Sequence, residues 1–245
     1  MLYVDNKLNN DSNNCVTHKK QLVIFGNAEV ASMARYYFDN DSDYTVVGFT
    51  VDDDYCEFDS FEGLPLIPWS QVKEKFPVSD FGMHIALSYM KLNQLRQEKY
   101  EQAKEANYFL ASYVCSKAAI WPDLIIGDNC FILENQTIQP TCIIGNNVML
   151  WSGNHIGHGT EISDHTYLSS HVVLSGHSKI GSRCFFGVNA TLCDFLTIGD
   201  DCFIAMDASV SRNMKSGSVA LGSPTVIMSK DDKKARVIKK KYFKL

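Results

Sequence analysis

The sequence predicts two domains, an α/β domain followed by a parallel β-solenoid. Two observations carry this prediction. Over roughly the first 110 residues, short apolar runs alternate with segments of helical periodicity, and between residues 120 and 210 every sixth residue is apolar. The chain has 245 residues, which is enough for two domains that each bury a core of their own.

The N-terminal part has the alternation that is typical of a parallel α/β sheet. Residues 21–26, QLVIFG, form an apolar run that predicts a buried strand, and residues 29–38 carry apolar side chains at helical spacing. Further predicted elements are strands at residues 44–51, 64–67 and 83–87 and a charged helix at residues 91–106. Ligands of such sheets usually bind in the crevice at the strand ends.

Gly26 ends the first predicted strand, and Asn27 and Ala28 follow it before the helix begins. A turn at this place can hold a phosphate group against the helix N-terminus. A dinucleotide-binding fingerprint requires three glycines, however, and this turn has only Gly26. A tight strand-to-helix turn without any ligand explains the glycine equally well.

A six-residue period runs through the second half of the chain. All sixteen positions counted in sixes are apolar: Ile120, Ile126, Ile132, Ile138, Ile144, Leu150, Ile156, Ile162, Leu168, Leu174, Ile180, Phe186, Leu192, Ile198, Ile204 and Val210. One unit is about one short strand plus a corner, so three units, or about eighteen residues, make one triangular coil. The repeat predicts five stacked coils around a continuous aliphatic core, and we expect it to stop after Val210.

Two further positions of the unit are restricted. Glycine often follows the core position, where we expect it to supply a positive φ at a bend: Gly127, Gly145, Gly157, Gly181, Gly187 and Gly199. The fourth residue after the core position is small, as a narrow corner requires: Cys130, Cys142, Thr160, Thr166, Val172, Ser178, Cys184, Ala190, Cys202 and Ala208. Four of the eight cysteines are therefore interpreted as packing residues, and no two cysteines have the close spacing of a zinc site.

Composition and charge argue against several classes of function. The formal net charge is -5 and no basic face precedes the tail, which argues against a general nucleic-acid binder. The apolar runs have the length of strands, so no membrane span is expected. The first residues are polar and rich in asparagine, without the apolar core of a signal peptide. These features predict a cytoplasmic protein with reduced thiols.

Five of the seven histidines lie between residues 155 and 177. Metal ligands within one solenoid would stack about eighteen residues apart, and no two of these five have that spacing. His165, His171 and His177 are six residues apart, so they fall on three different sides of the prism and cannot converge within one subunit. No metal site is predicted within a subunit, whereas a site between subunits stays open.

His158 is the strongest candidate for a general base. It stands two residues after the core position Ile156, at a corner where side chains point outward. Imidazole is suited to removing a proton near neutral pH. Gly176 follows His158 by eighteen residues and should lie next to it on the following coil, and His177 is offset from that position by one residue.

The repeat pattern of an aliphatic residue, glycine, two variable residues and a small residue resembles the hexapeptide repeat of the left-handed parallel β-helix acyltransferases. This resemblance implies a left-handed coil and a homotrimer with active sites in the clefts between subunits. The order of a Rossmann-like domain, a linking helix and the β-helix resembles the sialic-acid and bacillosamine-type sugar acyltransferases from residue 21 to about residue 225. The implied domains are a frayed N-terminus (1–20), a nucleotide-sugar-binding domain (21–110), the acyltransferase β-helix (111–227) and a basic tail (228–245).

This resemblance implies an acyl-CoA-dependent N-acyltransferase, with acetyl-CoA as the first candidate donor. Its acceptor would be a nucleotide-linked amino sugar used in the synthesis of surface polysaccharide such as lipopolysaccharide O-antigen. The base implied by the family is His158, which precedes Ile162 in a His-x-x-x-[Ile/Val] context. The amine would attack the thioester carbonyl while His158 accepts the proton, and a backbone N–H would stabilise the oxyanion.

The resemblance also assigns contacts to both substrates. Contacts to the nucleotide sugar are implied for Gly26, Asn27, Ala28 and Asp52 or Asp53. Trp151, Asn154 and His155 are further candidates near the acceptor, although Trp151 could equally pack at a subunit interface. Contacts to the acyl-CoA are implied for Tyr167, Gly176, His177, Ala205, Met206, Gly222 and Pro224. Gly176, which lacks a side chain, is expected to leave space for the pantetheine arm.

Three alternatives stay open from the sequence. The same base could serve a hydroxyl acceptor, which would make the protein a sugar O-acetyltransferase. Another branch of this fold, the γ-class carbonic anhydrases, binds zinc between subunits, so a zinc-dependent hydratase is the second alternative. The last is a trimeric scaffold without catalytic activity. The lysine-rich tail is interpreted as a solvated helix face, although it could attract the phosphates of CoA.

Overall fold

The computed structural model describes residues 20–223, 228–229 and 231–243. The strands of the N-terminal domain are β1 (Lys20–Phe25), β2 (Tyr44–Val51), β3 (Ser60–Phe61), β4 (Leu64–Pro68) and β5 (Phe81–Ile85). Its α-helices are α1 (Glu29–Asn40), α2 (Val72–Lys75) and α3 (Gln94–Glu105), and single 3-10 turns cover Asp53–Tyr55 and Trp69–Gln71. The strand order is β3-β4-β2-β1-β5, with β3 antiparallel to β4 and the remaining pairs parallel.

Two predicted boundaries in this domain are wrong. The strand predicted at residues 83–87 is β5, which begins and ends two residues earlier. The charged helix begins at Gln94 instead of residue 91, because Lys91, Leu92 and Asn93 all have positive φ values of 51°, 51° and 65°. A run of left-handed residues cannot continue into a right-handed helix, and it forms a tight loop between β5 and α3.

Strand β1, which lies between β2 and β5, shows that the sheet is buried on both faces. Its last four residues are buried and apolar, as parallel sheets covered on two sides require. On one face, α1 packs against the sheet through Ala31, Ala34 and Phe38, beside residues of the second domain. On the other face, α2 and α3 pack through Val72 and Ala103.

The second domain consists of short strands that stack into a parallel β-helix. The strands are β6 (Tyr113–Val114), β7 (Ile125–Ile126), β8 (Phe131–Ile132), β9 (Thr137–Ile138), β10 (Ile143–Ile144), β11 (Met149–Leu150), β12 (His155–Ile156), β13 (Glu161–Ile162), β14 (Tyr167–Leu168), β15 (Val173–Leu174), β16 (Lys179–Ile180), β17 (Phe185–Phe186), β18 (Thr191–Leu192), β19 (Thr197–Ile198), β20 (Phe203–Ile204), β21 (Ser209–Val210) and β22 (Val219–Ala220). The strands from β7 to β21 pair in parallel with the strand three places along, as Ile144 does with Ile126 and Ile162. At the two ends, β6 pairs with β8 and β22 pairs with β20.

Three sheets form the sides of a triangular prism. Face 1 contains β7, β10, β13, β16 and β19; face 2 contains β6, β8, β11, β14, β17, β20 and β22; face 3 contains β9, β12, β15, β18 and β21. We call the edges between them corner 1–2, corner 2–3 and corner 3–1, in chain order. The five predicted coils are confirmed as β7 to β21. The six-residue period stops after Val210 as expected, and β22 adds one more strand to face 2 at a shorter spacing.

The second residue of each strand from β7 to β21 points into the prism and is buried. The predicted small corner residues are confirmed as packing residues. Cys130, Cys142, Cys184 and Cys202 are at most 1% exposed, and the sulfur of each lies near a backbone carbonyl oxygen. All cysteines in the described part of the chain are free thiols.

The glycines that follow the core positions have a different reason from the predicted one. Positive φ values occur two residues further along, at Asn129, Asn147, His165, Arg183 and their equivalents, and the glycines after the core positions lack them. These glycines allow successive coils to approach closely. A Cβ atom at Gly181 would lie 2.6 Å from the backbone nitrogen of Asp200 on the next coil.

This close approach leads to a stability prediction. We expect Gly181→Ala to lower the free energy of unfolding by about 1–3 kcal/mol, because the new Cβ must push two coils apart. Ser163→Ala is the matched control, since Ser163 occupies the preceding coil of the same corner and already carries a Cβ; we expect it to change stability by less than about 0.5 kcal/mol. Urea unfolding at one protein concentration measures both, and equal losses would contradict the explanation.

The N-terminal domain covers the lower part of face 2. The outward side chains Tyr113, Phe131, Met149 and Tyr167 of this face are buried beneath it. Further up, Phe185 and Phe203 are only half-buried. Tyr37 of α1 donates a hydrogen bond of 2.9 Å to Glu134 at corner 2–3, so polar contacts as well as packing orient the two domains.

A second junction joins the start of α3 to corner 1–2. The Arg96 guanidinium is 1% exposed and donates hydrogen bonds to the backbone oxygen of His165 at 2.9 Å and to the side-chain oxygens of Asn93 and Asn147 at 3.2 Å each. Burial lowers the pKa of Arg96 to about 10. Because it is bonded to both domains, Arg96 fixes how the crevice of the first domain sits relative to the coils of the second.

Beyond the β-helix, α4 (Lys233–Phe243) carries most of the basic side chains of the predicted tail. Within the described residues, no helix has both the length and the apolar character needed to cross a membrane.

Candidate functional site

His158 lies at corner 3–1 and is exposed. Its imidazole rests on Gly176 of the next coil, where a Cβ atom would come within 2.8 Å of the ring atom Cε1. The space above Gly176, which we expected to accommodate pantetheine, is therefore occupied by this ring. The absence of a side chain at Gly176 lets the imidazole lie against the corner, and His158 as a residue is exposed.

A glutamine one coil below contacts His158 twice. The Oε1 atom of Gln139 lies 2.9 Å from the backbone nitrogen of His158 and 3.0 Å from the imidazole Nδ1. Sequence reasoning missed Gln139, although its spacing of nineteen residues from His158 equals the spacing from His158 to His177. A search for polar residues offset by one from the coil length would have found it.

His177 and Phe195 continue the same corner upward. The rings of His158 and His177 meet edge to face with 4.8 Å between their centroids, and Phe195 stacks on His177 at 5.0 Å. Phe195 has a φ of 61° and is 73% exposed, which is unusual for a large apolar residue. The corner therefore presents a continuous exposed row of rings that includes the candidate base.

The three histidines spaced by six residues are confirmed to lie on three different corners. His165 is at corner 1–2, His171 at corner 2–3 and His177 at corner 3–1. Burial lowers the pKa of His165 to about 4, so this ring is neutral near pH 7. Among the described residues, no group of three histidine, cysteine or acidic side chains is arranged to hold a metal ion.

Corner 2–3 holds another group of the predicted contacts. Asn154 is 1% exposed, and its Oδ1 accepts a 2.7 Å hydrogen bond from the backbone of Val172, while its Nδ2 donates to the backbone oxygen of Trp151. These bonds, together with its burial, give Asn154 a structural part in the corner. His155 points outward from face 3, between the two corners.

An apolar groove of about 490 Å³ runs along the uncovered part of face 2. We call it the face-2 groove; its lining residues are Tyr89, Trp151, Tyr167, Ser169, Ser170, Phe185, Gly187, Val188, Phe203 and Met206. Ala205 and Gly222 adjoin it, since a Cβ atom at Gly222 would lie 2.6 Å from the backbone oxygen of Met206. Pro224, the remaining predicted CoA contact, lies outside the described residues.

The N-terminal domain has its own crevice of about 390 Å³ at the carboxyl ends of β1 and β2. Gly26 lines it with a φ of 136°, and a Cβ atom there would lie 2.9 Å from the backbone oxygen of Ala86. Asn27 also lines the crevice and donates a 3.3 Å hydrogen bond to the backbone oxygen of Tyr55. Ala28 is exposed and forms the N-terminal cap of α1.

The structure separates the two aspartates that the sequence could not distinguish. Asp52 lines the crevice and pairs with Lys99 of α3 at 2.8 Å. Asp53 accepts a 3.0 Å hydrogen bond from the backbone N–H of Ser70. Hydrogen bonding from the Ser70 side chain, and then from its backbone, lowers the pKa of the Asp53 carboxyl group. Lys99 and Tyr55 are crevice residues that sequence reasoning missed, because only the packing of α3 against the sheet brings Lys99 to the strand ends.

One chain does not bring all the predicted contacts together. His158, Gly176 and His177 share corner 3–1, whereas Trp151, Ala205, Met206 and Gly222 lie around corner 2–3. Gly26, Asn27 and Asp52 line the crevice of the other domain. Corners 3–1 and 2–3 are separated by the full width of face 3.

Comparisons with known proteins agree with this architecture. Residues 141–176, which include His158 and Gly176, match the family described as bacterial transferase hexapeptide (six repeats). A mutant of perosamine N-acetyltransferase from Caulobacter crescentus, solved in complex with CoA and GDP-perosamine, is 20% identical with a TM-score of 0.75, and the match covers 85% of this chain and 97% of that chain.

Two further solved structures are similar over the same extent. The acetyltransferase domain of PglB from Neisseria gonorrhoeae FA1090 is 18% identical with a TM-score of 0.69, covering 83% of this chain and all (100%) of that chain. WeeI from Acinetobacter baumannii AYE is 15% identical with a TM-score of 0.67, and the match covers 85% of this chain and 100% of that chain. The predicted fold, a Rossmann-like domain followed by a left-handed parallel β-helix, is confirmed.

Proposed function

We propose that this chain is an N-acetyltransferase that moves an acetyl group from acetyl-CoA to the amine of a nucleotide-linked amino sugar, with His158 as the general base. One observation carries the proposal. An exposed histidine stands at a corner of a fold that matches perosamine N-acetyltransferase, a protein crystallised with CoA and GDP-perosamine, over nearly its whole length. The PglB domain, which has the same fold, was crystallised with acetyl-CoA.

In the proposed reaction, Nε2 of His158 accepts a proton from the sugar amine as the amine nitrogen attacks the thioester carbonyl carbon. The new C–N bond forms, the C–S bond breaks, and the sulfur leaves as CoA thiolate. The proton held by His158 then passes to the thiolate, so the products are an amide and free CoA thiol. His158 is then neutral again, and no further reactant is needed.

The crevice at the ends of β1 and β2 is the proposed nucleotide site. Gly26 presents its backbone to the crevice, and Lys91 and Lys99 are the cations of its lining, of which Lys99 pairs with Asp52 at 2.8 Å. The loop between β5 and α3 connects this crevice with the face-2 groove, because Lys91 lines the first and Tyr89 lines the second. A sugar attached to the nucleotide would extend along this loop.

The active site is proposed to form between copies of a homotrimer. Within one chain, His158 lies on a different corner from the face-2 groove, so a second copy must bring the base to the acceptor. A cytoplasmic location accords with both proposed substrates, acetyl-CoA and a nucleotide sugar, which are made there.

The test combines purified protein, acetyl-CoA and a panel of UDP-, GDP- and dTDP-linked amino sugars. We expect release of free thiol with at least one acceptor, and a product one acetyl group heavier that resists hydroxylamine, as an amide does and an ester does not. A hydroxylamine-sensitive product would indicate O-acetylation. Absence of both thiol release and CoA binding by calorimetry would contradict the proposal and favour a non-catalytic scaffold.

A further inference from the structure

Gln139 determines where the hydrogen sits on the candidate base. Its Oε1 lies within hydrogen-bond distance of both the backbone nitrogen and the imidazole Nδ1 of His158. A backbone N–H can only donate, so the side-chain atom facing it must be the carbonyl oxygen and not the amide nitrogen. A carbonyl oxygen can only accept, and the facing Nδ1 must therefore carry a hydrogen.

The neutral imidazole carries one hydrogen, so its presence on Nδ1 leaves the lone pair on Nε2. We propose that Gln139 is a positioning residue that holds His158 in this tautomer, with Nε2 free to accept a proton, and that it does so as an uncharged amide. This inference rests on the proposed function for its catalytic meaning. The tautomer itself is a property of the resting protein.

The uncharged partner distinguishes this arrangement from the more familiar pairing of a catalytic histidine with a carboxylate. A carboxylate orients the ring and also stabilises the imidazolium ion, whereas an amide only orients it. In the described part of the chain, no carboxylate makes a hydrogen bond or an ion pair with His158. Gln139 therefore sets geometry without adding a negative charge next to the ring.

The surroundings of His158 contain few other titratable groups. On corner 3–1, His177 contacts the ring edge to face, Asp194 lies two coils above and Asp123 lies two coils below. His155 lies on the strand of face 3 that leads into this corner. On the adjoining face 1, Glu161 and Lys179 pair with each other at 3.4 Å. A negative charge introduced at residue 139 would therefore be the first carboxylate in direct contact with the base.

The first experiment uses Gln139→Glu, which retains both acceptor contacts and adds a charge. We expect the acidic limb of the kcat/KM profile to move to higher pH by about one unit, because the carboxylate favours the protonated ring. Thr197→Glu is the matched control, since it adds the same charge at an exposed position of face 1 on the second coil above His158, out of contact with the ring, and its profile should match the wild type. An unshifted profile for Gln139→Glu would overturn the proposal.

A truncation separates positioning from charge. We expect Gln139→Ala to lower kcat by about tenfold, with little change in KM for either substrate, because the freed ring spends part of its time with the hydrogen on Nε2. At a pH above the shifted acidic limb, we expect Gln139→Glu to be more active than Gln139→Ala and close to the wild type, because the carboxylate still accepts from Nδ1. An alanine variant with wild-type kcat would contradict a positioning role.

The second experiment needs no substrate. Magic-angle-spinning NMR of protein labelled with ¹⁵N-histidine, recorded at pH 8 and compared with the His158→Ala spectrum, reports which ring nitrogen of His158 is protonated. We expect the Nδ1–H form. An Nε2–H form would overturn the inference even in an active enzyme, whereas the expected tautomer in a protein whose His158→Ala variant stays fully active would overturn the proposed function instead.

Discussion

We expect His158→Ala to lower kcat/KM by about 10²- to 10⁴-fold, the range typical of losing a general base. The exposed ring is the candidate proton acceptor of corner 3–1, and its removal leaves the attacking amine without one. The effect should fall mainly on kcat, because the ring rests on Gly176 and its loss leaves the backbone of the corner unchanged. The rate of thiol release at saturating acetyl-CoA and varied acceptor concentration measures both kcat and kcat/KM.

The matched control for this variant is His171→Ala. Like His158, His171 is an exposed histidine at a corner of the prism, but it stands at corner 2–3. Its backbone has the same left-handed conformation as that of His177. We expect its kcat/KM to stay within about threefold of the wild-type value, since a surface histidine without contacts to substrate contributes little. Equal losses in the two variants would indicate general damage to the coil, and full activity of His158→Ala would remove the assigned base.

Arg96→Met is expected to lower the free energy of unfolding by about 2–4 kcal/mol, because each buried acceptor left without its donor costs roughly 1–3 kcal/mol. Methionine fills much of the same volume but leaves the backbone oxygens of Asn147 and His165 without their donor. The loss should appear as a lower urea midpoint. It should also loosen the junction between the two domains, because Arg96 bonds residues of both.

Arg183→Met provides the control at the same corner. Arg183 pairs with Asp201 at 2.7 Å and 2.9 Å, but its side chain is 24% exposed, so solvent screens the pair. We expect a loss of at most about 1 kcal/mol. If the two arginine variants lost the same stability, burial would not be the reason for the importance of Arg96.

The regular parts of the fold could be predicted because local pattern determines them. A residue such as Ile144 must be apolar wherever its neighbours one coil away are apolar, and this requirement repeats along the chain. Strand β2 was predicted with its observed bounds for the same kind of reason. The irregular parts could not be predicted: the loop before α3 depends on three residues with positive φ, of which only Asn93 is a residue type common in that conformation.

The reason for the corner glycines shows the limit of local reasoning. The sequence indicates that Gly181 and its equivalents are needed, but it suggested backbone bending as the cause. The cause is the distance to the next coil, which no window of the sequence contains. The same holds for Asn154, whose polar side chain bonds the backbone of the next coil at Val172, a contact that no window of the sequence contains.

By itself the sequence determined the coil length, the core of the β-helix and the position of His158 at a corner, because each follows from a period of six residues. Only the tertiary structure decided which residue orients that histidine, which aspartate lines the crevice and which predicted contacts lie on different corners. These depend on distances between residues far apart in the chain, such as Gln139 and His158 or Asp52 and Lys99. The six-residue period determines where a residue lies on a coil, whereas contacts between coils and between domains determine which side chains meet at the candidate site.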